Sequence, residues 1–308
     1  DVNMLIPSPL ESINYPLFTE KQINVYVKRD DLIHDEISGN KWRKLKYNLI
    51  EAKAQNKNTI LTFGGAYSNH ISATGAIGKI FDFKTIGVIR GEETLPLNPT
   101  LLQAEKDGMH FLYVSRTDYR KKNTPEFIDK LKEEFGDFYL IPEGGGNRLG
   151  VKGCNDIVNE IDIDFNYILT DCGTGATLAG ICDVLKVNQK AIGIPVLKGG
   201  EFIKDEVRLL LGDTDRGVES QYSLETGYHF GGYAKYKPEL IEFIRGFYTQ
   251  TNIKTDPIYT GKLFYALVDL AKKDYFKRES TIVVIHTGGL QGIKGFEKRH
   301  GFSIFDKK

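Results

Sequence analysis

Thr59-Ile60-Leu61-Thr62-Phe63-Gly64-Gly65-Ala66-Tyr67-Ser68-Asn69-His70 is the stretch that decides the fold. Its β-branched and aromatic start ends in two glycines, and a helical pattern follows from about Asn69 to Phe81. Strand, glycine turn and helix in that order are the opening of a parallel βαβ unit. The alternation continues both ways. Residues 23–27 read as a strand, and Lys41 to Ala54 as a helix with Trp42, Leu45, Leu49 and Ala52 on one face. Further strands are expected at 85–89, 111–114, 139–141, 167–170, 192–196 and 281–285. Helices are expected at 101–107, 125–135, 178–187 and 238–248. The chain is thus α/β, with parallel sheets covered by helices on both faces. The stretch 212–236, rich in Gly, Tyr and Ser, is the longest irregular segment, of the kind that often covers an active site.

Composition narrows the function. With 308 residues, the chain has room for about two domains or one large α/β unit. The 41 basic and 41 acidic residues balance, so no global field points to nucleic acid or an anionic membrane. Cys154, Cys172 and Cys182 are odd in number and form no CxxC pair, which excludes a disulfide framework and a zinc ribbon and fits a reducing compartment. No metal site is expected. No basic segment precedes an apolar run at the start, and no apolar run reaches a membrane span. A cytoplasmic location is expected, with a removed leader left open by a sequence that begins at Asp1.

Four segments carry chemistry-bearing residues. In Ser38-Gly39-Asn40-Lys41-Trp42-Arg43-Lys44-Leu45, Ser38 or Asn40 can cap a helix that starts near Lys41. A lysine there faces the positive end of the helix dipole, which disfavours its ammonium form. If desolvated as well, its free amine becomes a nucleophile. Arg43, Lys44 and Lys46 read as an ordinary solvated basic face.

Ser68, Asn69 and His70 form the second segment, a helix start whose free N–H groups and dipole favour a carboxylate. Taken singly, Ser68 is an ordinary N-cap. The third runs from Thr170 to Gly180 and includes Gly173, Thr174, Gly175, Ala176 and Thr177. It follows a strand and opens a helix, the setting of a phosphate cradle. Leu178 breaks the dinucleotide glycine pattern, and Ile181 stands where a Walker loop needs Lys. A single phosphate monoester fits best, and an NAD-linked oxidoreductase does not. The fourth comprises Asp256 to Lys262 and His286-Thr287-Gly288-Gly289, where Thr287 follows a strand at the end where α/β proteins bind ligands.

Together these segments specify one chemistry. An aldehyde cofactor with one phosphate needs an amine, a phosphate cradle and a group facing its ring nitrogen, and the substrate carboxylate needs a site of its own. Lys41, the Gly173–Thr177 loop, Thr287 and the Ser68–His70 helix start supply these in turn. A neutral hydroxyl opposite the ring nitrogen would not hold that nitrogen protonated, which suits elimination more than transamination.

The sequence at this point resembles the fold-type II (tryptophan synthase β-like) pyridoxal-5′-phosphate enzymes, in the branch of D-cysteine desulfhydrase and 1-aminocyclopropane-1-carboxylate (ACC) deaminase. The resemblance runs over nearly the whole chain. It is carried by Pro7 to Glu11, Lys28 to Leu32, Gly39 to Leu45, Ser68 to His70, Pro142 to Asn147, the Gly173 loop, Asp256 to Lys262 and His286 to Gly289. It implies two domains of three αβα layers, with 50–157 as a smaller domain inserted into a pyridoxal phosphate-binding domain of 1–49 plus 158–308.

The resemblance further implies that Lys41 is the Schiff-base lysine and that Asn69 holds the ring hydroxyl. Ser68, Asn69 and His70 would take the substrate carboxylate, Gly173 to Thr177 the phosphate, and Tyr233 and Tyr259 would flank a small amino-acid substrate. A homodimer is expected on the same ground. ACC deaminases resemble a Tyr-Glu-Gly-Lys pattern with Leu before the late Gly-Gly, whereas this chain has Thr260 and Thr287 there, similar to the desulfhydrases. The expected reaction is therefore β-elimination from D-cysteine, with Lys41 as α-proton base and Tyr233 or Tyr259 as acid. ACC deamination, a serine dehydratase- or racemase-like activity, and a catalytically silent ligand-binding homologue are the alternatives.

Overall fold

The structure, a computed structural model, describes residues 3–37, 39–212 and 217–305. The suggested cap Ser38 and positions 213–216 of the expected irregular stretch lie outside the described residues. In chain order the strands are β1 (Leu10–Ser12), β2 (Asn24–Lys28), β3 (Thr59–Gly65), β4 (Lys84–Arg90) and β5 (Met109–Val114). They continue with β6 (Tyr139–Ile141), β7 (Tyr167–Cys172), β8 (Lys190–Pro195), β9 (Tyr222–Leu224) and β10 (Thr281–Ile285). The helices begin with α1 (Pro16–Glu20), α2 (Lys41–Ala54), α3 (Asn69–Phe81), α4 (Pro99–Lys106), α5 (Arg116–Tyr119) and α6 (Pro125–Phe135). They end with α7 (Arg148–Asn159), α8 (Ala176–Cys182), α9 (Ile203–Leu211), α10 (Pro238–Thr251), α11 (Thr260–Lys272) and α12 (Gly292–His300).

Two sheets result, ordered β1-β2-β10-β7-β8-β9 and β5-β4-β3-β6. The four consecutive strands β3–β6 make the smaller sheet, and both ends of the chain share the larger. The pairings are parallel except that β1 lies antiparallel on β2 at the edge. Alternation along the strands feeds both faces of the larger sheet. Val25, Val27, Leu169, Ile282 and Val284 meet Phe247, Phe264 and Leu267 on one face. Ile168, Val283 and Ile285 meet Val151, Ile157, Leu178 and Ile181 on the other. The smaller sheet is covered likewise, by Leu45, Leu49, Ala73 and Ile77 on one side and by Leu131 and Tyr119 on the other. The expected layered α/β architecture is the one observed.

α2 joins the two halves. A Cβ added to Gly153 of α7 would lie 1.7 Å from the Arg43 carbonyl oxygen, so the two helices cross at backbone contact. Arg43 and Lys44, expected on a solvated face, are only 2% and 5% exposed. The Arg43 guanidinium pairs with Asp30 and Glu160, and Lys28 Nζ reaches Glu160 at 2.9 Å and the Ser8 carbonyl at 2.7 Å. Helical periodicity in α2 is right, but α7 covers the face that its charge suggested was wet. The expected domain boundaries at 50 and 157 fall inside α2 and α7.

Candidate active site

Strand ends from both sheets meet at one cavity of about 390 Å³. Gly65 and Arg90 come from the smaller sheet, and Asp171, Gly173 and Thr287 from the larger. Carboxyl ends of parallel strands are where α/β folds gather ligands, because the following helices begin there.

Lys41, the first residue of α2, lines the cavity. Burial lowers its ammonium pKa well below the usual lysine range, and the neighbouring Lys44 adds repulsion that Asp171 only partly offsets. Both effects favour the free amine, the nucleophilic form. Asn40 occupies the N-cap position but does not cap with its side chain, which donates instead to Thr177 Oγ1 at 3.2 Å. The expected Asn40 cap is thus replaced by a tie between the lysine helix and the phosphate loop.

Ser68 is the N-cap of α3, its Oγ accepting from the Ile71 N–H at 3.2 Å. The preceding glycines serve close approach and not a turn. Gly64 and Gly65 remain in β3, and a Cβ on Gly64 would sit 2.6 Å from Ile71 and 2.8 Å from Ser68 Oγ. Asn69 Oδ1 accepts from Gln291 Nε2 at 2.6 Å, which fixes the amide with its nitrogen as the donor end.

His70 is 2% exposed. Thr62 Oγ1 donates to the Ile141 carbonyl at 2.6 Å, so its contact with His70 Nε2 at 2.7 Å is received from a ring N–H. His70 Nδ1 is left as an unpartnered buried acceptor. Burial lowers the imidazolium pKa well below its usual range, and Lys41 and Lys44 add to this. A neutral ring offering a lone pair does not attract a carboxylate, so what the α3 start offers an anion at this position is backbone N–H.

Of the loop expected to cradle a phosphate, Gly173, Thr174 and Thr177 line the cavity, while Gly175 and Ala176 are buried at the start of α8. The Gly175 N–H already donates to an anion, Glu206 Oε2, at 2.6 Å. A carboxylate thus stands where a phosphate oxygen would accept. Lys44, also lining the cavity, brings the buried positive charge that a phosphate requires.

Tyr233 and Tyr259 line the cavity with hydroxyl oxygens 2.8 Å apart. Asp256 positions Tyr259 by accepting the backbone N–H groups of Ile258 and Tyr259, each at 2.8 Å. Lys262, fully buried, donates from Nζ to the Val196, His229 and Gly232 carbonyls, which anchors the loop leading to Tyr233. Thr287 donates to Asp171. Thr260, one of the two positions that set this chain apart from the ACC deaminase pattern, is not in the cavity wall. It is fully buried and bonded to Asp256 at 2.7 Å.

The cavity therefore brings together Lys41, Ser68, Asn69, His70, Gly173, Thr174, Thr177, Tyr233, Tyr259 and Thr287 from segments far apart in sequence. Sequence reasoning missed Lys44, Arg90, Glu143, Asp171 and Glu206 in its wall. Among the described residues no helix is long and apolar enough to cross a membrane, and no group of His, Cys, Asp or Glu is placed to hold a metal.

A buried lysine, an anion-accepting loop, a donor amide and a hydroxyl in one cavity fit a phosphorylated aldehyde cofactor. The family model of pyridoxal-phosphate dependent enzymes matches residues 5–288, and the chain belongs to that family. It is 35% identical over 280 residues, 87% of this chain and 85% of the relative, to a Pyrococcus horikoshii protein provisionally named 1-aminocyclopropane-1-carboxylate deaminase. It is 31% identical over 313 residues, 94% of this chain and 77% of the relative, to the mitochondrial bifunctional D-cysteine desulfhydrase/ACC deaminase of Arabidopsis thaliana. A crystal structure of an ACC deaminase homologue superposes with a TM-score of 0.82 at 31% identity, covering 97% of this chain and 94% of that one. The protein is thus a pyridoxal phosphate-dependent enzyme related to the ACC deaminases and D-cysteine desulfhydrases.

Proposed function

We propose that the chain is a deaminating lyase that eliminates the β-substituent of a small amino acid, with D-cysteine as its substrate. The products are pyruvate, ammonia and hydrogen sulfide. The carrying observation is a base and an acid in one cavity: the Lys41 amine, whose free form burial favours, and the Tyr233–Tyr259 hydroxyl pair. Bound pyridoxal phosphate supplies the conjugated ring that delocalises the electron pair left at the α-carbon. Lys41 would hold the cofactor aldehyde, Gly173 to Thr177 and Lys44 its phosphate, Asn69 its ring hydroxyl, and Thr287 would face its ring nitrogen.

The chain's own groups then move two protons. The backbone N–H groups of Asn69 and His70 hold the substrate carboxylate, with the Ser68 hydroxyl beside them. Lys41 Nζ takes the α-proton, the carbon–sulfur bond breaks, and the departing sulfur receives a proton from the tyrosine pair. The three-carbon enamine released is hydrolysed by water to pyruvate and ammonia. Steps of this kind each contribute about two to four orders of magnitude.

Thr287 favours D-cysteine within this scheme. The removal of Thr260 from the cavity wall leaves that preference on one residue, and the relatives' names favour ACC as the second reading. The same reading takes 50–157 as an inserted domain, supported by the grouping of β3–β6 in one sheet, together with a cytoplasmic homodimer. Pyruvate release from D-cysteine should exceed 2-oxobutanoate release from ACC in kcat/KM. The reverse order overturns the substrate assignment.

A further inference from the structure

Asp171 ends the β7 region and Thr287 follows β10, the strand paired beside it, so both face the cavity from one end of the larger sheet. The Thr287 hydroxyl lies 2.8 Å from Asp171 Oδ1 and 3.1 Å from Oδ2. A hydroxyl carries one proton and an ionised carboxylate only accepts. That proton is therefore committed to Asp171, and Thr287 presents lone pairs to the cavity. A pyridine nitrogen opposite those lone pairs completes a hydrogen bond only by bringing its own proton. The sequence alone suggested a neutral ring nitrogen, because it showed Thr287 without the carboxylate behind it.

We propose that Asp171 is a positioning residue that, through Thr287, holds the ring nitrogen of bound pyridoxal phosphate in its protonated form. This rests on the functional reading above, which sets that nitrogen against Thr287. The surroundings of Asp171 agree. It is 8% exposed and makes no ion pair of its own among the described residues. Burial and Asp256 oppose its charge, while the Thr287 hydrogen bond and Lys44 favour it. Burial above all raises its carboxyl to about 6. A cationic ring N–H one hydroxyl away supplies the missing counter-charge. The proton count closes: in the charged arrangement the ring nitrogen donates to Thr287 and Thr287 to Asp171. Moving each proton one step along that line would leave a neutral ring and a neutral acid.

The experiment reads the ring nitrogen directly, by its NMR chemical shift in holoenzyme reconstituted with isotopically labelled pyridoxal phosphate at neutral pH. The wild type should give a shift in the pyridinium range. Asp171→Asn, which gives Thr287 an amide donor and frees its proton to point into the cavity, should move the shift to the neutral pyridine range. Thr287→Val should do the same, and it reports on the pair if Asp171→Asn fails to fold. A neutral-range shift in the wild type, or a pyridinium-range shift in both variants, overturns the proposal. Borohydride fixation of the label on Lys41 is scored alongside. A fixed label with a neutral nitrogen refutes the Asp171 role alone, whereas no label fixed at Lys41 refutes the functional reading with it.

Discussion

Tyr233 and Tyr259 share one hydrogen bond of 2.8 Å between their hydroxyl oxygens, and the two phenols are not equivalent. Burial raises both, but the shared bond lowers Tyr233 and raises Tyr259, which makes Tyr233 the more acidic of the two. Tyr233 is therefore the readier proton donor of the pair.

Tyr233→Phe should therefore reduce kcat for D-cysteine by about two to four orders of magnitude. Tyr259→Phe removes only the supporting hydroxyl and should cost about tenfold or less. Steady-state kinetics on both variants checks the order, and a larger loss in Tyr259→Phe reverses the assignment.

Glu206 occupies the Gly175 N–H that a phosphate would use. Glu206→Gln keeps the shape and removes a negative charge next to an incoming dianion. Pyridoxal phosphate should bind the apoenzyme about fivefold more tightly, on the order of 1 kcal/mol for a partly screened charge. Equilibrium dialysis measures it. Weaker binding would mean that Glu206 assists the cofactor.

Arg43 neutralises Asp30, which is fully buried, and Glu160. Arg43→Met leaves Asp30 uncompensated, although Lys28 still answers Glu160. The loss should be about 3–5 kcal/mol, read as a lower urea midpoint. A midpoint within error of wild type would show that the network contributes no net stability.

Asp171 also gives the apoenzyme a pH dependence of known sign. Its carboxyl titrates at about 6 in the fold against an ordinary value of 3.8. A raised acid stabilises the fold while protonated, so this contribution is present below about pH 4 and is lost as pH rises to about 6, by roughly 3 kcal/mol at most. Asp171→Asn should flatten that decline in urea titrations of the apoenzyme. An unchanged slope would place Asp171 in a more polar setting than its burial indicates.

The sequence made the local parts of this molecule readable. α2, α3, α6, β6 and β10 run where periodicity predicts, because each carries its own apolar stripe or β-branched run. α7 was not among the expected helices, and its apolar stripe is interrupted by Gly150 and Gly153. In the fold both are forced by contact, a Cβ on Gly150 lying 2.0 Å from the Gly145 carbonyl oxygen. α9, α11 and α12 escaped too, as did the short β1 and β9.

The site divides in the same way. Lys41, Ser68, Asn69 and the Gly173 loop were legible because a helix start or a glycine turn advertises its chemistry within a few residues. Lys44, Asp171 and Glu206 were not, since each acquires its role from a partner more than thirty residues away or from burial by another helix. Thr260 shows the converse. A residue within a recognisable motif faced Asp256 instead of the substrate.

Gly39, at φ +57°, would place a Cβ 1.7 Å from the Thr287 carbonyl oxygen, and the next N–H, of Asn40, donates to that same oxygen at 3.0 Å. The main chain before Lys41, the proposed cofactor lysine, is thus clamped to the main chain of Thr287, proposed to face the ring nitrogen. The span between these two anchor points is a backbone ruler that side-chain replacement leaves unaltered. New substrate preferences can then arise by exchanging the groups around that ruler, while a change at position 39 moves both anchor points at once.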